Sequence, residues 1–386
     1  MGYVWSPLAP SPSGVANYTE TLIAGDPALE ELTFVTEQEV ERTGRNAVAP
    51  DGKVLNAARN LLQLGNNMHH SYVMDRAIQG GAIVELHDLS LHRLHSERTL
   101  HQSDFPGYML GLQENEGEWG RRAAYQRSQG YFTPRLECYM RANRQVCERA
   151  RALIVHSRWA RFQIELQEIE TPIHVLPHYT LTPEESQTSC RTKQEARERL
   201  GLASDRLLII SAGDVVPFKR LDWVLAAFEM ARGNGLNAEL VIAGACEMDD
   251  VAFLLEESPN AADITVTGRL DQEAFDDHIM AADLLPEFRF PSVGESSATA
   301  ARALGFGRVM MVPEYAAFSD LPSSICAKIK LDETVAAQMA EVMTRFAENP
   351  ERVAATEQKI ADFAARRLSL ARSRKRLRAI LSRYWN

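Results

Sequence analysis

The sequence contains few of the features that would assign it at once to a common protein class. Its 386 residues include no uninterrupted apolar run near the ~18 residues of a membrane-spanning helix, so we expect no such helix. Residues 1–14 have neither a basic start nor an apolar core, so we expect no signal peptide. The five cysteines are scattered, odd in number and without CxxC spacing, which favours a reducing, cytoplasmic location.

Several nucleotide- and metal-binding motifs are also missing. No GxGxxG sequence occurs, which disfavours a nicotinamide or flavin site, and no GxxxxGK precedes a serine or threonine, which excludes a P-loop. No GxSxG sequence supports a hydrolase nucleophile. No two aspartates are spaced i, i+2, which disfavours a sugar transferase that holds a metal on a DxD motif. His87, His92, His95 and His101 lie close together but lack the spacing and partners of a zinc site, so we expect no metal.

Acidic side chains outnumber basic ones, and the formal net charge is −10. An acidic chain is a poor non-specific ligand for nucleic acid, so we do not expect a nucleic-acid partner. Residues 365–386 are the exception, because they hold eight basic side chains and no acidic one. Apolar residues repeat there at helical spacing, which predicts a terminal helix. That helix could pack against the first domain or contact an anionic membrane surface, and both alternatives stay open.

The order of apolar runs predicts two α/β domains. Short apolar runs alternate with helix-length stretches, clearly in the second half and weakly in the first, which indicates parallel sheets with crossover helices. Residues 179–192 are polar and non-periodic; Thr192 and Glu195 then have capping-box spacing, and Gly201 is a plausible helix stop. The predicted division is residues 1–185, residues 186–369 and a C-terminal helix over about 370–386 that packs back on the first domain.

The segment 211–228, SAGDVVPFKRLDWVLAAF, carries the first sign of a ligand site. An apolar strand ends at Gly213, and Lys219 with Arg220 opens the next helix after a loop. Two cations beside the free N–H groups and the positive dipole end of a helix would suit a diphosphate. A solvated helix start, where lysine and arginine are common, is the alternative.

The segment 289–314, RFPSVGESSATAARALGFGRVMMVPE, carries the second sign of a ligand site. Glu295, Ser296 and Ser297 stand in a Pro/Gly turn before an alanine-rich helix. Serine hydroxyls next to open helix amides again suit an anion, and Glu295 could face a sugar hydroxyl or a positive centre. Ordinary N-capping by serine is the alternative.

With their neighbours, these two segments resemble the retaining glycosyltransferases of family 4. PSPSG (10–14) resembles the family's glycine loop, and ELHDLSLHRL (85–94) resembles its HD segment. ALIVHSRW (152–159) resembles its VxxHS strand end, and LPHY (176–179) resembles its last N-domain strand. TGRLDQEAFDDHIMAADL (267–284) resembles its GxL segment. The resemblance implies a GT-B fold, in which two Rossmann-like α/β domains with parallel sheets face each other across a cleft.

The resemblance also implies roles for individual residues. The implied catalytic residues are His87, Asp88, Glu295 and Lys219. The implied donor-binding residues are Gly14, Gly213, Lys219, Arg220, Gly268, Arg269, Leu270, Glu295, Ser296, Ser297 and Arg302. Lys219 would hold the donor diphosphate, and His87 with Asp88 would lie on the acceptor side of the reacting carbon.

The activity implied by the resemblance is retaining transfer of a hexose from a UDP- or GDP-sugar, without metal or cofactor, to a hydroxyl of a glycan or lipid-linked saccharide. The implied context is polysaccharide biosynthesis in the cytoplasm or at the inner membrane face. Two sites depart from the family pattern: Asp214 replaces an arginine, and Gly294 and Arg302 replace paired glutamates. A catalytically silent sugar-nucleotide-binding partner protein and a GT-B sugar-nucleotide epimerase therefore stay open as alternatives.

Overall fold

The computed structural model describes residues 2–39, 45–246, 255–256 and 258–385. Within these ranges the chain forms two compact units. Unit 1 takes in Met1–Pro177, Pro291–Ser296 and Ala371–Asn386, and unit 2 takes in His178–Phe290 and Ser297–Leu370. The chain thus passes from unit 2 into unit 1 at Pro291 and returns to unit 2 at Ser297.

Unit 1 is built on one seven-stranded parallel sheet in the order β3-β2-β1-β4-β5-β6-β7. Its strands are β1 (Tyr3–Trp5), β2 (Thr33–Val35), β3 (Ala47–Val48), β4 (Asn60–Leu64), β5 (Ile83–Leu86), β6 (Ala152–Val155) and β7 (Ile173–Val175). Strands β4, β5 and β6 are buried at every residue, as expected for parallel strands that are covered on both faces. The candidate site residues His87 and Asp88 follow the carboxyl end of β5.

The helices of unit 1 connect successive strands. They are Gly14–Ile23, Pro27–Glu30, Gly52–Leu55, Ser71–Gln79, His92–Leu100, Phe105–Ser128, Leu136–Tyr139, Arg144–Arg149 and Arg158–Glu165, with a 3₁₀ turn at Met68–His70. The helix Phe105–Ser128 is interrupted at Gly117, where φ is 65°. The terminal helix Leu370–Trp385 joins this unit from Ala371 onward.

The terminal helix is fixed to unit 1 by its apolar side and by polar contacts that include Arg374 and the pair of Arg378 with the buried Asp26. Leu377 is fully buried, and Ile380 and Leu381 are nearly so. The Arg374 guanidinium donates to main-chain carbonyls at the end of the helix Gly14–Ile23, among them that of Leu22 at 3.1 Å. A cation suits that position, because the last carbonyls of a helix lack partners and carry partial negative charge.

Unit 2 contains two three-stranded parallel sheets, ordered β10-β9-β8 and β11-β12-β13. The strands are β8 (Leu207–Ala212), β9 (Ala238–Ala243), β10 (Ile264–Gly268), β11 (Leu285–Pro286), β12 (Met310–Pro313) and β13 (Cys326–Ile329). A parallel bridge between Ile209 and Leu284 joins β8 to the residue before β11. The two sheets therefore continue each other across one hydrophobic core.

The helices of unit 2 are Lys193–Leu200, Leu221–Gly233, Gln272–Ala281, Ala298–Gly305, Val335–Glu348 and Pro350–Phe363, followed by a π-helical turn at Ala364–Leu368; 3₁₀ turns lie at Pro217–Lys219, Ala261–Asp263 and Ala316–Asp320. The predicted capping box of Thr192 and Glu195 is confirmed, and Gly201 ends that helix in the left-handed conformation. Among the residues described, no helix is both long enough and apolar enough to cross a bilayer.

Candidate functional site

In unit 2, the loop after β8 brings Lys219 back beside the end of its own strand. Gly213 follows the strand with φ at +91°, and the Lys219 Nζ donates to the Ala212 carbonyl at 2.8 Å. The prediction that Lys219 and Arg220 open the next helix is wrong in detail. Lys219 ends a 3₁₀ turn, and the α-helix begins at Leu221, because Arg220 takes the left-handed conformation between them.

Gly213 allows three elements to meet at one point. A Cβ atom on this residue would lie 2.3 Å from Lys219 Nζ and 3.4 Å from Thr299 Oγ1. Thr299 belongs to the first turn of the helix Ala298–Gly305. Unit 2 therefore brings the lysine ammonium and a helix N-terminus together, and both carry positive charge toward the end of β8.

Glu287, just after β11, is a buried carboxylate that links these groups. Its Oε1 accepts hydrogen bonds from Ser297 Oγ at 2.8 Å and from Arg289 Nε at 3.2 Å. Burial lowers the pKa of Lys219 to about 8, while the negative charge of Glu287 acts in the opposite direction. Sequence reasoning missed Glu287, because its only signal is a single acid within an apolar run.

Ser297 caps the helix that it precedes. Its Oγ accepts the Ala300 N–H at 3.1 Å while donating to Glu287. The side chain thus performs ordinary N-capping, which was the alternative interpretation of this serine. The first-turn N–H groups that a cap does not use are the ones that suit an anion.

Carboxylates hold two of the predicted donor-binding arginines. Arg220 donates to both oxygens of Asp222, at 2.9 and 2.6 Å, and its guanidinium lies 3.6 Å from the centre of the Trp223 ring. Arg302 donates to both oxygens of the buried Asp276, at 2.7 and 2.6 Å. These pairs fix the two arginines within unit 2, and their donor-binding role stays a prediction.

The predicted donor-binding residues Gly268, Arg269 and Leu270 lie at and directly after the end of β10. Gly268 has φ at +71° and forms an antiparallel bridge with Gly244. Arg269 is exposed, and Leu270 is partly buried against the core of unit 2. Their role in donor binding stays a prediction.

In unit 1, Gly14 begins the helix Gly14–Ile23 directly after the loop that follows β1. A Cβ atom added to Gly14 would meet nothing within 4 Å, so the space beside it is open. The preceding Ser13 makes no capping hydrogen bond, and its Oγ lies 3.5 Å from His70 Nε2.

His87 follows β5 and is only 6% exposed. Its Nε2 lies 2.7 Å from Gln63 Oε1, and its Nδ1 lies 3.2 Å from His156 Nε2. Asp88 accepts the Asn66 N–H at 2.8 Å. His87 therefore belongs to a buried polar network, whereas the carboxylate of Asp88 holds the loop after β4.

The loop Pro291–Ser296 packs against the segment after β5 in unit 1. The Ser90 N–H donates to the Val293 carbonyl at 2.8 Å. Gly294 has φ at +79°, and a Cβ atom there would lie 2.3 Å from Leu89 Cβ. The glycine is thus required by its conformation and by the close approach of Leu89.

This loop carries two predicted site residues to His87. The Ser296 N–H donates to the His87 carbonyl at 3.3 Å, and Glu295 Oε2 accepts from Ser292 Oγ at 2.8 Å. The structure therefore brings Ser296 to the main chain of His87 in unit 1, and Glu295 is its neighbour in the sequence. Ser297, the next residue in the sequence, belongs to unit 2 with Lys219.

One group of potential metal-binding side chains occurs among the described residues. Glu85, His87 and His156 each offer an atom within 4.8 Å of the other two. These atoms are engaged in hydrogen bonds with one another and with their neighbours, so we assign no metal to them. Metal independence stays a prediction.

No protein-family model matches the chain, and no curated protein sequence matches it. Solved structures do share its fold. HepE from Anabaena, in complex with UDP, aligns with a TM-score of 0.68 at 12% identity, over 99% of this chain and 100% of HepE. Sucrose-phosphate synthase from Thermosynechococcus elongatus aligns with a TM-score of 0.65 at 11% identity, over 100% of this chain and 99% of the synthase.

WaaG, a glycosyltransferase involved in lipopolysaccharide biosynthesis, aligns with a TM-score of 0.61 at 11% identity, over 98% of each chain. At these identities the likeness concerns the fold. The predicted α/β class with parallel sheets is confirmed, and the chain has the fold of GT-B glycosyltransferases.

Proposed function

We propose that the protein is a glycosyltransferase that moves a sugar from a nucleotide-diphospho-sugar to a hydroxyl of a glycan or lipid-linked saccharide. We further propose that it retains the anomeric configuration, as family 4 enzymes do, and needs no metal. The observation that carries the proposal is the placement of Lys219 beside the first turn of the helix Ala298–Gly305 in unit 2. The complexes of the similarly folded HepE with UDP and with UDP-glucose support a UDP-sugar as donor.

The proposed chemistry needs positive charge at the leaving group. Breaking the bond between the sugar carbon and the diphosphate leaves negative charge on the phosphate oxygen. The Lys219 ammonium and the free N–H groups of the helix would stabilise that charge, and they are fixed before the reaction begins. With a pKa near 8, Lys219 is still mostly protonated at neutral pH.

The remaining roles are assigned to unit 1. We propose that Glu295 faces the sugar and that His87 and Asp88 lie on the acceptor side. The acceptor oxygen bonds to the sugar carbon from the face that the diphosphate leaves, and its proton passes to the departing phosphate oxygen. That course keeps the anomeric configuration without the two flanking carboxylates of a glycosidase.

Transfer in the presence of EDTA tests the proposal. Purified full chain would be incubated with labelled UDP- and GDP-sugars and a panel of saccharide acceptors, and the product anomer would be read by NMR. We expect metal-free transfer with retention, reduced at least tenfold in Lys219→Met and unchanged in Lys359→Met, an exposed lysine in the same unit. Nucleotide binding without transfer to any acceptor would favour the silent partner protein, and equal rates in both variants would contradict the role of Lys219.

We also propose that the terminal helix contacts anionic membranes through charge alone. Leu377, Ile380 and Leu381 on its apolar side are buried, so they are not free to enter a bilayer, whereas Arg372, Lys375 and Arg383 are exposed. Each basic residue near an anionic surface contributes about 1 kcal/mol, and salt screens the attraction. We expect co-flotation with phosphatidylserine vesicles at low salt, lost at high salt and in Arg372→Glu/Lys375→Glu; binding that resists salt would contradict this mode.

A further inference from the structure

A continuous chain of polar side chains crosses the interior of unit 1. Gln63 on β4 lies between Glu85 on β5 and His87, which follows β5. Its Nε2 donates to Glu85 Oε2 at 2.8 Å, and its Oε1 lies 2.7 Å from His87 Nε2. Tyr18 donates to the other oxygen of Glu85 at 2.8 Å, and His156 faces the second ring nitrogen of His87 at 3.2 Å. Glu85 and Gln63 have no exposed surface.

The hydrogen-bond partners of these polar side chains determine how many protons the network holds. His156 Nδ1 lies 2.8 Å from the Leu176 carbonyl, which can only accept, so that nitrogen carries hydrogen. Burial lowers the pKa of His156 to about 4, so the ring is neutral and its Nε2 is an acceptor. The facing His87 Nδ1 must then donate. His87 Nε2 must also donate, because Gln63 Oε1 only accepts.

With the amide in this orientation, His87 carries two ring protons and Glu85 carries none. Turning the Gln63 amide over gives a second arrangement that is also fully satisfied. The amide NH₂ then donates to a neutral His87, and a protonated Glu85 donates to the amide oxygen. Both arrangements hold the same number of protons, and both leave the pair of Glu85 and His87 with no net charge. Loss of that proton would leave a buried negative charge or two acceptors facing each other, and both are costly.

We propose that Glu85 and His87 hold one proton in common through Gln63, and that Glu85 and Gln63 are positioning residues for His87. The shared proton keeps both nitrogens of the His87 ring bonded. The main-chain carbonyl of His87 in turn accepts the N–H of Ser296, so the ring helps to hold the loop Pro291–Ser296. The role of the shared proton in sugar transfer rests on the proposed function, whereas the number of protons that the pair holds does not.

Other ionisable groups of unit 1 lie next to this pair. Tyr18 and His156 contact it directly, and His70 Nδ1 donates to the main-chain carbonyl of Gln63 at 2.9 Å. Burial keeps His70 neutral, because its pKa is lowered to about 4. Asp88, next in the chain, accepts the N–H of Asn66. Burial also raises the pKa of Glu85 to about 7, which is consistent with a proton retained near neutrality.

Equilibrium unfolding in urea as a function of pH tests the shared proton without any substrate. Above about pH 6.5, the ordinary pKa of histidine, neither side chain holds a proton in the unfolded chain. If the folded pair holds one, the folding equilibrium constant falls by about tenfold per pH unit until the folded pair releases it. Glu85→Gln mimics the protonated acid and removes this dependence. We expect the ratio of wild-type to Glu85→Gln constants to fall as the pH rises, by about fivefold between pH 6 and pH 7, and to level off above the Glu85 pKa of about 7, where the folded pair releases its proton.

Parallel pH curves for the two proteins would overturn the proposal. Tyr18→Phe is a second variant, in case Glu85→Gln does not fold. It removes a hydrogen bond that stabilises ionised Glu85, so the pH at which the pair releases its proton should move upward. If the midpoint of the stability-versus-pH curve does not move, the proposal is also overturned. In Tyr18→Phe, the pH at which kcat/KM for transfer falls on the alkaline side should move upward together with the midpoint of the stability curve. If unfolding follows these expectations but no transfer occurs, the proposed function fails while the shared proton stands.

Discussion

Replacing Gly213 by alanine should displace the Lys219 ammonium without disturbing the rest of unit 2. The new Cβ would lie 2.3 Å from Nζ, which real contacts do not reach, and the flexible lysine side chain would yield rather than the backbone. Its hydrogen bond to the Ala212 carbonyl would be lost. The left-handed φ of +91° adds a backbone cost of about 1–2 kcal/mol in stability.

Gly201 offers a matched control in the same unit. Its φ is +67°, and a Cβ atom there would meet nothing within 4 Å. Gly201→Ala should therefore carry a similar backbone cost, of about 1 kcal/mol, without touching Lys219. Comparing the two variants separates the effect on the ammonium from the general effect of alanine at positive φ.

Calorimetric titration with UDP, together with urea unfolding, makes the comparison. A charge-assisted hydrogen bond contributes about 2 kcal/mol, so Gly213→Ala should bind UDP roughly 30-fold more weakly than wild type. Gly201→Ala should bind UDP as wild type does, with a comparable loss of stability. Equal UDP affinity in the two variants would refute the argument that the loop after β8 holds Lys219 for a diphosphate.

Three further predictions follow from pKa shifts and close contacts. Burial lowers the pKa values of His70, His92 and His156 to about 4, so the stability they confer is complete above pH 6.5 and is lost as the pH falls through 4. Acid unfolding should show a loss of about 3 kcal/mol for each of them, and replacement of one by glutamine should flatten the curve. UDP affinity should fall as the pH rises through about 8, where Lys219 loses its proton, and pH-independent titrations between pH 7 and 9 would contradict this. Gly294→Ala should lower the stability of wild type by about 1–3 kcal/mol in urea unfolding, because its Cβ would overlap Leu89; an unchanged midpoint would show that the loop is not packed as described.

Local patterns in the sequence were sufficient to predict many of the helices and strands. Strand-ending glycines and the Thr192 capping box depend on nearest neighbours along the chain, and Gly213 has the positive φ that a strand-end turn before Lys219 requires. The contiguous GESS motif suggested one site, yet Ser296 and Ser297 fall in different units. A linear pattern cannot show such a division, because it arises from packing between distant segments.

The partners of the site residues were the part that the sequence did not reveal. Gln63 and His87 are 24 positions apart, and Arg302 and Asp276 are 26 apart. The contact of Glu287 with Ser297 depends on the fold, which places the end of β11 next to the helix that Ser297 caps. A buried polar group must find a hydrogen-bonding partner, but the fold decides which distant residue provides it.

The most direct test of the account is whether Lys219 recognises the second phosphate of a nucleotide. Calorimetric titration of wild type with UDP and with UMP should show a preference for UDP of tenfold or more, and Lys219→Met should bind both nucleotides about equally. A wild-type protein that binds UMP as tightly as UDP, or a variant that keeps the full preference, would contradict the assignment of a diphosphate to this site.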